Sequence, residues 1–406
     1  MRIKFDSSFK RFFVDVPYSK SMSARALIIQ ALSNNSIPIY NLSESKDTTE
    51  LQQALAHSDG VFIHTGDGGT SFRFFLAYAA LRISNCIIHT GKQMSLRPIG
   101  PLVEALNELG ADVECMIHEG FPPVQICGTT LSGNSLSIKA DLSSQFITSL
   151  MLIAPYLKDG LSIHLKDTLV SKPYVEMTAS MMRTLGIDII IDGQCIKISK
   201  GHYVGDSIQI ESDWSSAAFW LAYCALLPRH ELSIHGHFKN SIQGDKFIAA
   251  LLQDAGLTVN LSENNLIVER DDSSIELKDE YDLMDTPDLA PVLICLAAAL
   301  KQKVLFKGLN TLEHKESNRI VALQTELNKC GVLCENADQY SLKVDGSGLH
   351  KPIRAFSSHG DHRIIMALML FSSVFEEIEI DEYNSVTKSY PDFIQQLKKN
   401  GFQIFK

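Results

Sequence analysis

Six times along its 406 residues this chain repeats a pair of helical patterns, one apolar on every side and one apolar on a single side. The all-apolar members begin near Ser19, Thr70, Ser143, Asp213, Thr286 and Asp361. Examples are Ser71-Phe-Arg-Phe-Phe-Leu-Ala-Tyr and His362-Arg-Ile-Ile-Met-Ala-Leu-Met-Leu. A helix with no polar face has to be buried, and Ser, Thr and Asp at its start supply the oxygens that accept its unpaired N–H groups. After the first interval these starts recur about every seventy residues. The second pattern is amphipathic, as Ile99, Leu102, Val103, Leu106 and Leu109 show. Its members end at Gly60, Gly110, Gly186, Gly256, Gly331 and Gly401, where a left-handed residue stops a helix. Short β-rich runs follow most of these glycines, such as Ile187-Asp-Ile-Ile-Ile and, after a polar turn, Asn264-Asn-Leu-Ile-Val-Glu. Each unit is therefore predicted to hold two helices and about four strands.

Six α/β units divide naturally into two groups of three, with the break near Asp213 where the fourth unit opens. The run Met1-Arg-Ile-Lys-Phe precedes the first unit, while the last unit stops at Phe402-Gln-Ile-Phe. The N-terminal strand is thus expected to complete the C-terminal domain. The predicted domains are residues 14–213, and residues 1–13 plus 214–406. Two crossings between domains make a hinge, and a cleft between hinged domains is expected to hold ligands.

The net charge of −10 argues against a nucleic-acid partner, because phosphate backbones need a basic face. No stretch reaches about 18 uninterrupted apolar residues, so no membrane span is expected. The start is too polar for a signal peptide. Eight scattered cysteines in a chain large enough to fold without staples point to free thiols in a reducing cytoplasm. Cys330 and Cys334 have no neighbouring Cys/His pair to make a zinc site. A cytoplasmic monomer acting on small molecules is expected.

The helix starts carry the chemistry. Ser19-Lys20-Ser21-Met22-Ser23-Ala24-Arg25 places three hydroxyls and two cations at the first turn of a buried helix. Capping explains one serine. The helix dipole disfavours cations at this end, so their presence points to a bound anion. Gly66-Asp-Gly-Gly-Thr-Ser-Phe-Arg73 is a glycine-rich turn entering the second buried helix, without the Gly-Lys-Ser/Thr of a P-loop. Ser143-Ser144-Gln145 opens the third. Leu96-Arg97-Pro98 and Ser171-Lys172-Pro173-Tyr174 each put a cation beside a proline where an amphipathic helix begins. The C-terminal half adds acids: Asp285-Thr-Pro-Asp288, His314-Lys315-Glu316-Ser-Asn318-Arg319, His359-Gly-Asp-His-Arg363 and Thr387-Lys388-Ser-Tyr-Pro-Asp392. Two carboxylates among cations, Asp288 and Glu316, can serve as separate base and acid. His359 and His362 lack convergent ligands for a metal and fit capping and packing.

In this order the segments Ser-Lys-Ser-x-Ser-x-Arg, Gly-x-x-Gly-Thr-x-x-Arg, Arg-Pro-Ile, Ser-Ser-Gln-Phe, Ser-Lys-Pro-Tyr, Pro-Asp, Lys-Glu-Ser-x-Arg, Asp-His-Arg and Lys-x-x-Pro-Asp are specific. The chain resembles the 5-enolpyruvylshikimate-3-phosphate synthase family, the 3-phosphoshikimate 1-carboxyvinyltransferases, from Ser19 to Asp392. The resemblance implies a two-domain inside-out α/β barrel of six repeated βαβαββ-type units, three per domain. It implies transfer of the enolpyruvyl group of phosphoenolpyruvate to the 5-hydroxyl of shikimate 3-phosphate by addition and elimination, with no metal or organic cofactor. Lys20, Ser21, Arg25, Ser143, Ser144, Gln145, Ser171, Tyr174, Asp288 and Lys315 would then hold shikimate 3-phosphate. Lys20, Gly69, Arg97, Gln145, Arg319, Arg363 and Lys388 would surround phosphoenolpyruvate. Asp288 would take the proton from the 5-hydroxyl, and Glu316 would deliver one to the methylene carbon, assisted by Lys20 and Lys388. The space beside Gly69 implies that glyphosate fits there.

Tyr18, Asp67 and Asn318 stand where the family commonly has glycine, asparagine and aspartate. Thr311 falls where many relatives place another polar contact. Two other readings compete. A sibling enolpyruvyl transferase acts on UDP-N-acetylglucosamine and carries a catalytic cysteine on a mobile loop, whereas Cys115 here lies in a strand pattern. An inactive anion-binding repeat protein would have no use for the Asp288 and Glu316 pair.

Overall fold

The computed structural model describes residues 1–34, 36–129 and 131–405. They form two compact units, Tyr18–Ile210 and Met1–Pro17 with Glu211–Lys406. In the first, the apolar helices Lys20–Leu32, Gly69–Arg82 and Ser144–Ile153 pack together. In the second, Trp214–Leu226, Ala290–Ala299 and His362–Leu368 do the same. Trp214, Trp220 and Tyr223 on one of these helices are buried on different sides of it. The strands alternate buried and exposed residues, as Arg11–Asp15 and Ser135–Lys139 show, so each sheet has one covered face and one outer face. Helices form the core and sheets wrap it, the inverse of an ordinary α/β layer order.

Among the described residues there are five four-stranded sheets and one two-stranded sheet. In the 18–210 unit, Phe62–His64 runs parallel to Asn85–His89, with the buried helix Gly69–Arg82 as the crossover. Asn85–His89 pairs antiparallel with Val124–Thr129, whose hairpin partner is Ala111–Cys115. The same order recurs in Ser135–Lys139, Leu161–Lys166, Cys195–Ile198 and Ile189–Asp192. It recurs again in Glu280–Asp282, Lys303–Lys307, Ser341–Asp345 and Leu333–Asp338.

The N-terminal strand Arg2–Phe5 lies antiparallel between Ile378–Asp381 and Phe402–Phe405. It supplies the fourth strand that the last unit lacks, as its abrupt end predicts. The boundaries between the units depart from expectation. Arg11–Asp15 precedes the helix Lys20–Leu32 in the chain, but it pairs parallel with His230–His235. Ile208–Gln209 precedes Trp214–Leu226, but it pairs parallel with Ile39–Tyr40. Each strand thus pairs within its own unit, Arg11–Asp15 in the C-terminal unit and Ile208–Gln209 in the 18–210 unit. Residues 14–17 and 211–213, expected in the other domain, therefore belong with the C-terminal unit, where Asp213 N also donates to Pro17 O at 2.9 Å.

The first repeat also departs from the four-strand expectation. Its amphipathic helix Lys46–Ala56 leads past Gly60 directly into Phe62–His64 of the next repeat, leaving no length for a hairpin. The glycines that close the other five amphipathic helices have φ between +75° and +114°, whereas Gly60 does not adopt a positive φ. Truncating the borrowed strand tests its part in the core. Ile3 is 0% exposed, and Ile3→Ala should lower the unfolding free energy of the C-terminal unit by about 2–5 kcal/mol. A loss below about 1 kcal/mol in urea titrations would show that the strand is dispensable.

Candidate active site

In the 18–210 unit the expected residues sit at or near helix starts, those of the three buried helices and, for Arg97, Ser171 and Tyr174, those of two amphipathic ones. Ser19 Oγ accepts from Met22 N at 3.4 Å, and Ser143 Oγ from Gln145 N at 3.3 Å. Lys20 Nζ donates to Asp47 Oδ2 at 2.8 Å. Arg25 is buried one turn further in. Its Nε donates to Thr178 Oγ1 at 2.7 Å, Nη1 to Ser21 O at 2.7 Å and Nη2 to Tyr174 O at 3.1 Å. These partners are all neutral oxygens, and burial lowers the guanidinium to about 10. A buried cation with only neutral acceptors is a state that an anionic ligand relieves. Ser171 begins the helix Lys172–Thr184 from a left-handed conformation, φ +55°, and its carbonyl accepts from Tyr174 N.

Arg73 ties the second and third helix starts together. Its Nη1 donates to Gln145 Oε1 at 2.6 Å and its Nη2 to Pro98 O at 2.8 Å, while Gln145 Nε2 donates to Thr70 Oγ1 at 3.0 Å. Gly69, the first residue of its helix, has the Arg97 guanidinium against it. A Cβ there would lie 2.5 Å from Arg97 Nη1 and 2.7 Å from Cζ. The space beside Gly69 is thus taken up by an arginine. Asp67 has a structural task as well: its Oδ1 accepts from Gln93 N at 2.8 Å and Met94 N at 3.3 Å, joining the glycine-rich turn to the Met94–Leu96 turn that leads into Arg97. Tyr18 is half-buried, and nothing in the structure explains why it replaces glycine.

In the C-terminal unit the expected residues form one ion-pair cluster around Arg319, which is 1% exposed. Arg319 Nε donates to Asp361 Oδ2 at 2.8 Å, Nη1 to Asp288 Oδ1 at 2.9 Å, and Nη2 to Glu316 Oε2 at 2.9 Å and Asp361 Oδ1 at 3.3 Å. Lys315 Nζ lies 3.3 Å from Asp288, Arg363 Nη2 lies 3.0 Å from it, and Lys388 Nζ lies 4.0 Å from Glu316. Burial alone would raise the Asp288 carboxyl, but Arg363, Lys315 and Arg319 outweigh it and hold Asp288 well below the usual carboxylate range. Burial opposes the charge of Arg319 too, yet Asp361, Glu316 and Asp288 drive its guanidinium upward. Asn318 caps the Arg319–Asn328 helix by accepting from Val321 N at 3.2 Å. His359 Nε2 donates to Glu326 Oε1 at 2.7 Å, and His362 is buried in the first turn of its helix.

Sequence reasoning passed over four residues. Arg73 stood inside a quoted motif, and its position within an apolar helix was the available signal. Asp361 was signalled by its place at a buried helix start. It caps that helix by accepting from Arg363 N at 2.9 Å. Asp47 gave no signal, being brought to Lys20 only by the fold. Asp245, in the Gly244–Lys246 turn, gave none either. Its Oδ2 accepts from Ser215 Oγ, and its buried Oδ1 has no hydrogen-bond partner among the described residues. Burial, then the neighbouring Asp288, pushes the Asp245 carboxyl up to about 6 against the pull of Arg363 and Ser215.

This arrangement, with helices inside and sheets outside, is the fold of solved EPSP synthases. One from Acinetobacter baumannii superposes with a TM-score of 0.77 at 20% identity, over 100% of both chains. At the level of sequence, the profile of the family described as EPSP synthase (3-phosphoshikimate 1-carboxyvinyltransferase) matches residues 52–397, and the chain belongs to this family. A 3-phosphoshikimate 1-carboxyvinyltransferase from Bacteroides fragilis (strain YCH46) is 36% identical over 393 residues, covering 96% of this chain and 95% of the relative. One from Methanospirillum hungatei JF-1 is 29% identical over 415 residues, covering 96% and 95%. Cys115, which the sibling-enzyme reading would need on a mobile loop, closes the strand Ala111–Cys115 and pairs with Val124.

Asp245 yields a pH test. Its folded value lies above the ordinary 3.8, so the folded chain retains a proton that the unfolded chain releases between about pH 4 and pH 6. Compared with Asp245→Asn, the wild-type protein should be equally stable near pH 4 and less stable by on the order of 2 kcal/mol above pH 6. Urea unfolding at both pH values measures this, and a gap independent of pH would refute it.

Proposed function

We infer that this chain is an enolpyruvyl transferase that joins phosphoenolpyruvate to the 5-hydroxyl of shikimate 3-phosphate and releases phosphate. The supporting observation, within a chain of this family, is that Asp288 and Glu316 share one buried arginine while Lys315, Arg363 and Lys388 flank them. Such a pair can move two protons in one reaction, because each carboxylate stands in its own charged surroundings. Asp288, held ionised, takes the proton of the 5-hydroxyl as that oxygen attacks C2 of phosphoenolpyruvate. Glu316 protonates the methylene carbon, assisted by Lys20 and Lys388. Elimination of phosphate from the resulting adduct returns a proton from the methyl carbon and restores the double bond.

Shikimate 3-phosphate is held by Lys20, Ser21, Arg25, Ser143, Ser144, Gln145, Ser171 and Tyr174, and by Asp288 and Lys315. Phosphoenolpyruvate, with a phosphate and a carboxylate to satisfy, uses Lys20, Gly69, Arg97, Gln145, Arg319, Arg363 and Lys388. Arginine suits this task because its fork of donors matches both groups. The reaction uses no metal and no organic cofactor. The enzyme works as a cytoplasmic monomer without a nucleic-acid partner. Its eight free cysteines and the absence, among the described residues, of any helix long and apolar enough to cross a membrane are compatible with that location.

Phosphate release should require both shikimate 3-phosphate and phosphoenolpyruvate and should persist in chelator. Release with UDP-N-acetylglucosamine in place of shikimate 3-phosphate would sink the assignment, and tight binding without turnover would favour a non-catalytic anion binder. Gly69→Ala must push the Arg97 guanidinium aside. It should raise the KM for phosphoenolpyruvate about tenfold and alter that for shikimate 3-phosphate by less than about threefold. Equal changes in both constants would show that Arg97 is not specific to phosphoenolpyruvate.

A further inference from the structure

We propose that Glu326 is a positioning residue for Arg363, acting through the turn that presents it. Glu326 lies seven positions after Arg319 on the helix Arg319–Asn328, two turns along the same face. Its side chain is 1% exposed. Oε1 accepts from His359 Nε2 at 2.7 Å, and Oε2 accepts from Lys329 Nζ at 2.7 Å and from Ser357 N at 2.9 Å. Lys329 Nζ also donates to Ala355 O at 2.9 Å. Two turns earlier on this helix, Arg319 holds Asp361. A single helix face therefore grips the segment 355–361 at both ends.

What lies between the grips explains why they are needed. His359 has φ +51° and Gly360 φ +70°. A histidine in the left-handed region stays there only when its surroundings hold it, and the Glu326 carboxylate holds its imidazole. The turn closes through Gly360 N to Ser358 Oγ at 3.1 Å and Asp361 N to Ser358 O at 2.9 Å. Asp361 then starts the helix that carries Arg363 in its first turn, and Arg363 reaches Asp288. Any rotation of the turn is passed to the arginine, since only His362 separates it from Asp361, whose carboxylate accepts from Arg363 N. Glu326 touches none of the groups assigned to the reaction, so its effect is transmitted through backbone placement.

The expected consequence rests on the proposed role of Arg363 toward phosphoenolpyruvate. Glu326→Gln keeps the side-chain length but loses the negative charge and one acceptor. It should raise the KM for phosphoenolpyruvate about tenfold, while kcat and the KM for shikimate 3-phosphate change by less than about threefold. His359→Gly keeps the left-handed turn without the imidazole. It should shift the same constant in the same direction by about threefold, and it decides the matter alone should Glu326→Gln fail to fold. A purely structural residue would instead lower the melting temperature and leave both KM values unchanged, and that result would overturn the proposal. Calorimetric titration with inorganic phosphate separates this inference from the assigned activity. Weaker phosphate binding by Glu326→Gln supports the clasp even if the wild-type protein turns nothing over, and unchanged phosphate binding refutes it.

Discussion

A helix that is apolar on all sides exposes only its ends to polar chemistry, and in this protein that constraint governs everything else. Three such helices pack together in each unit, and the sheets wrap around them. Their first-turn N–H groups cannot be satisfied by neighbouring helices. Ser19, Ser143, Asp213 and Asp361 each take one donor of the helix they start. The remaining donors and the dipole leave a positively biased spot at each start. Placing lysine and arginine there raises the electrostatic cost further unless an anion is present, which is why the cations are informative.

The two units answer this electrostatic problem differently. In the 18–210 unit, Arg25 is bound by a threonine hydroxyl and two backbone carbonyls, and burial depresses its guanidinium. In the C-terminal unit, Arg319 is surrounded by Asp288, Glu316 and Asp361 and is driven the opposite way. Such a cluster holds Asp288 well below the usual carboxylate range and fixes its neighbours in register. In one unit a buried arginine faces neutral oxygens, while in the other carboxylates and cations neutralise one another. The fourth buried helix start is occupied by the protein's own acid, because Ser215 in its first turn donates to Asp245.

Much of this was legible from residue order because the fold repeats. The six apolar helices, the closing glycines of five units and the need of the last unit for the N-terminal strand all follow from local periodicity and length. The expected residues of the C-terminal unit, Asp288, Lys315, Glu316, Arg319, Arg363 and Lys388, converge on one cluster. The sheet partners of two boundary strands were not legible. Arg11–Asp15 and Ile208–Gln209 read as ordinary strands whichever sheet they join, and only pairing across hundreds of residues assigns them. The missing hairpin of the first repeat was signalled by its short interval, but the repeat average concealed it.

The sequence by itself determined which segments are buried helices, where they start and which charged residue types stand at those starts, since these depend on neighbours within a turn or two. Tertiary structure decided the partners of those charges. Asp47 on Lys20, Arg73 on Gln145, Arg97 against Gly69 and Asp361 on Arg319 all join residues far apart in the chain. An ion pair leaves no periodic trace, because its energy depends on distance and burial in space and not on spacing along the backbone. The positions of the helix starts were therefore predictable, whereas the contrast between Arg25, set among neutral oxygens, and Arg319, set among carboxylates, emerged only when the chain was folded.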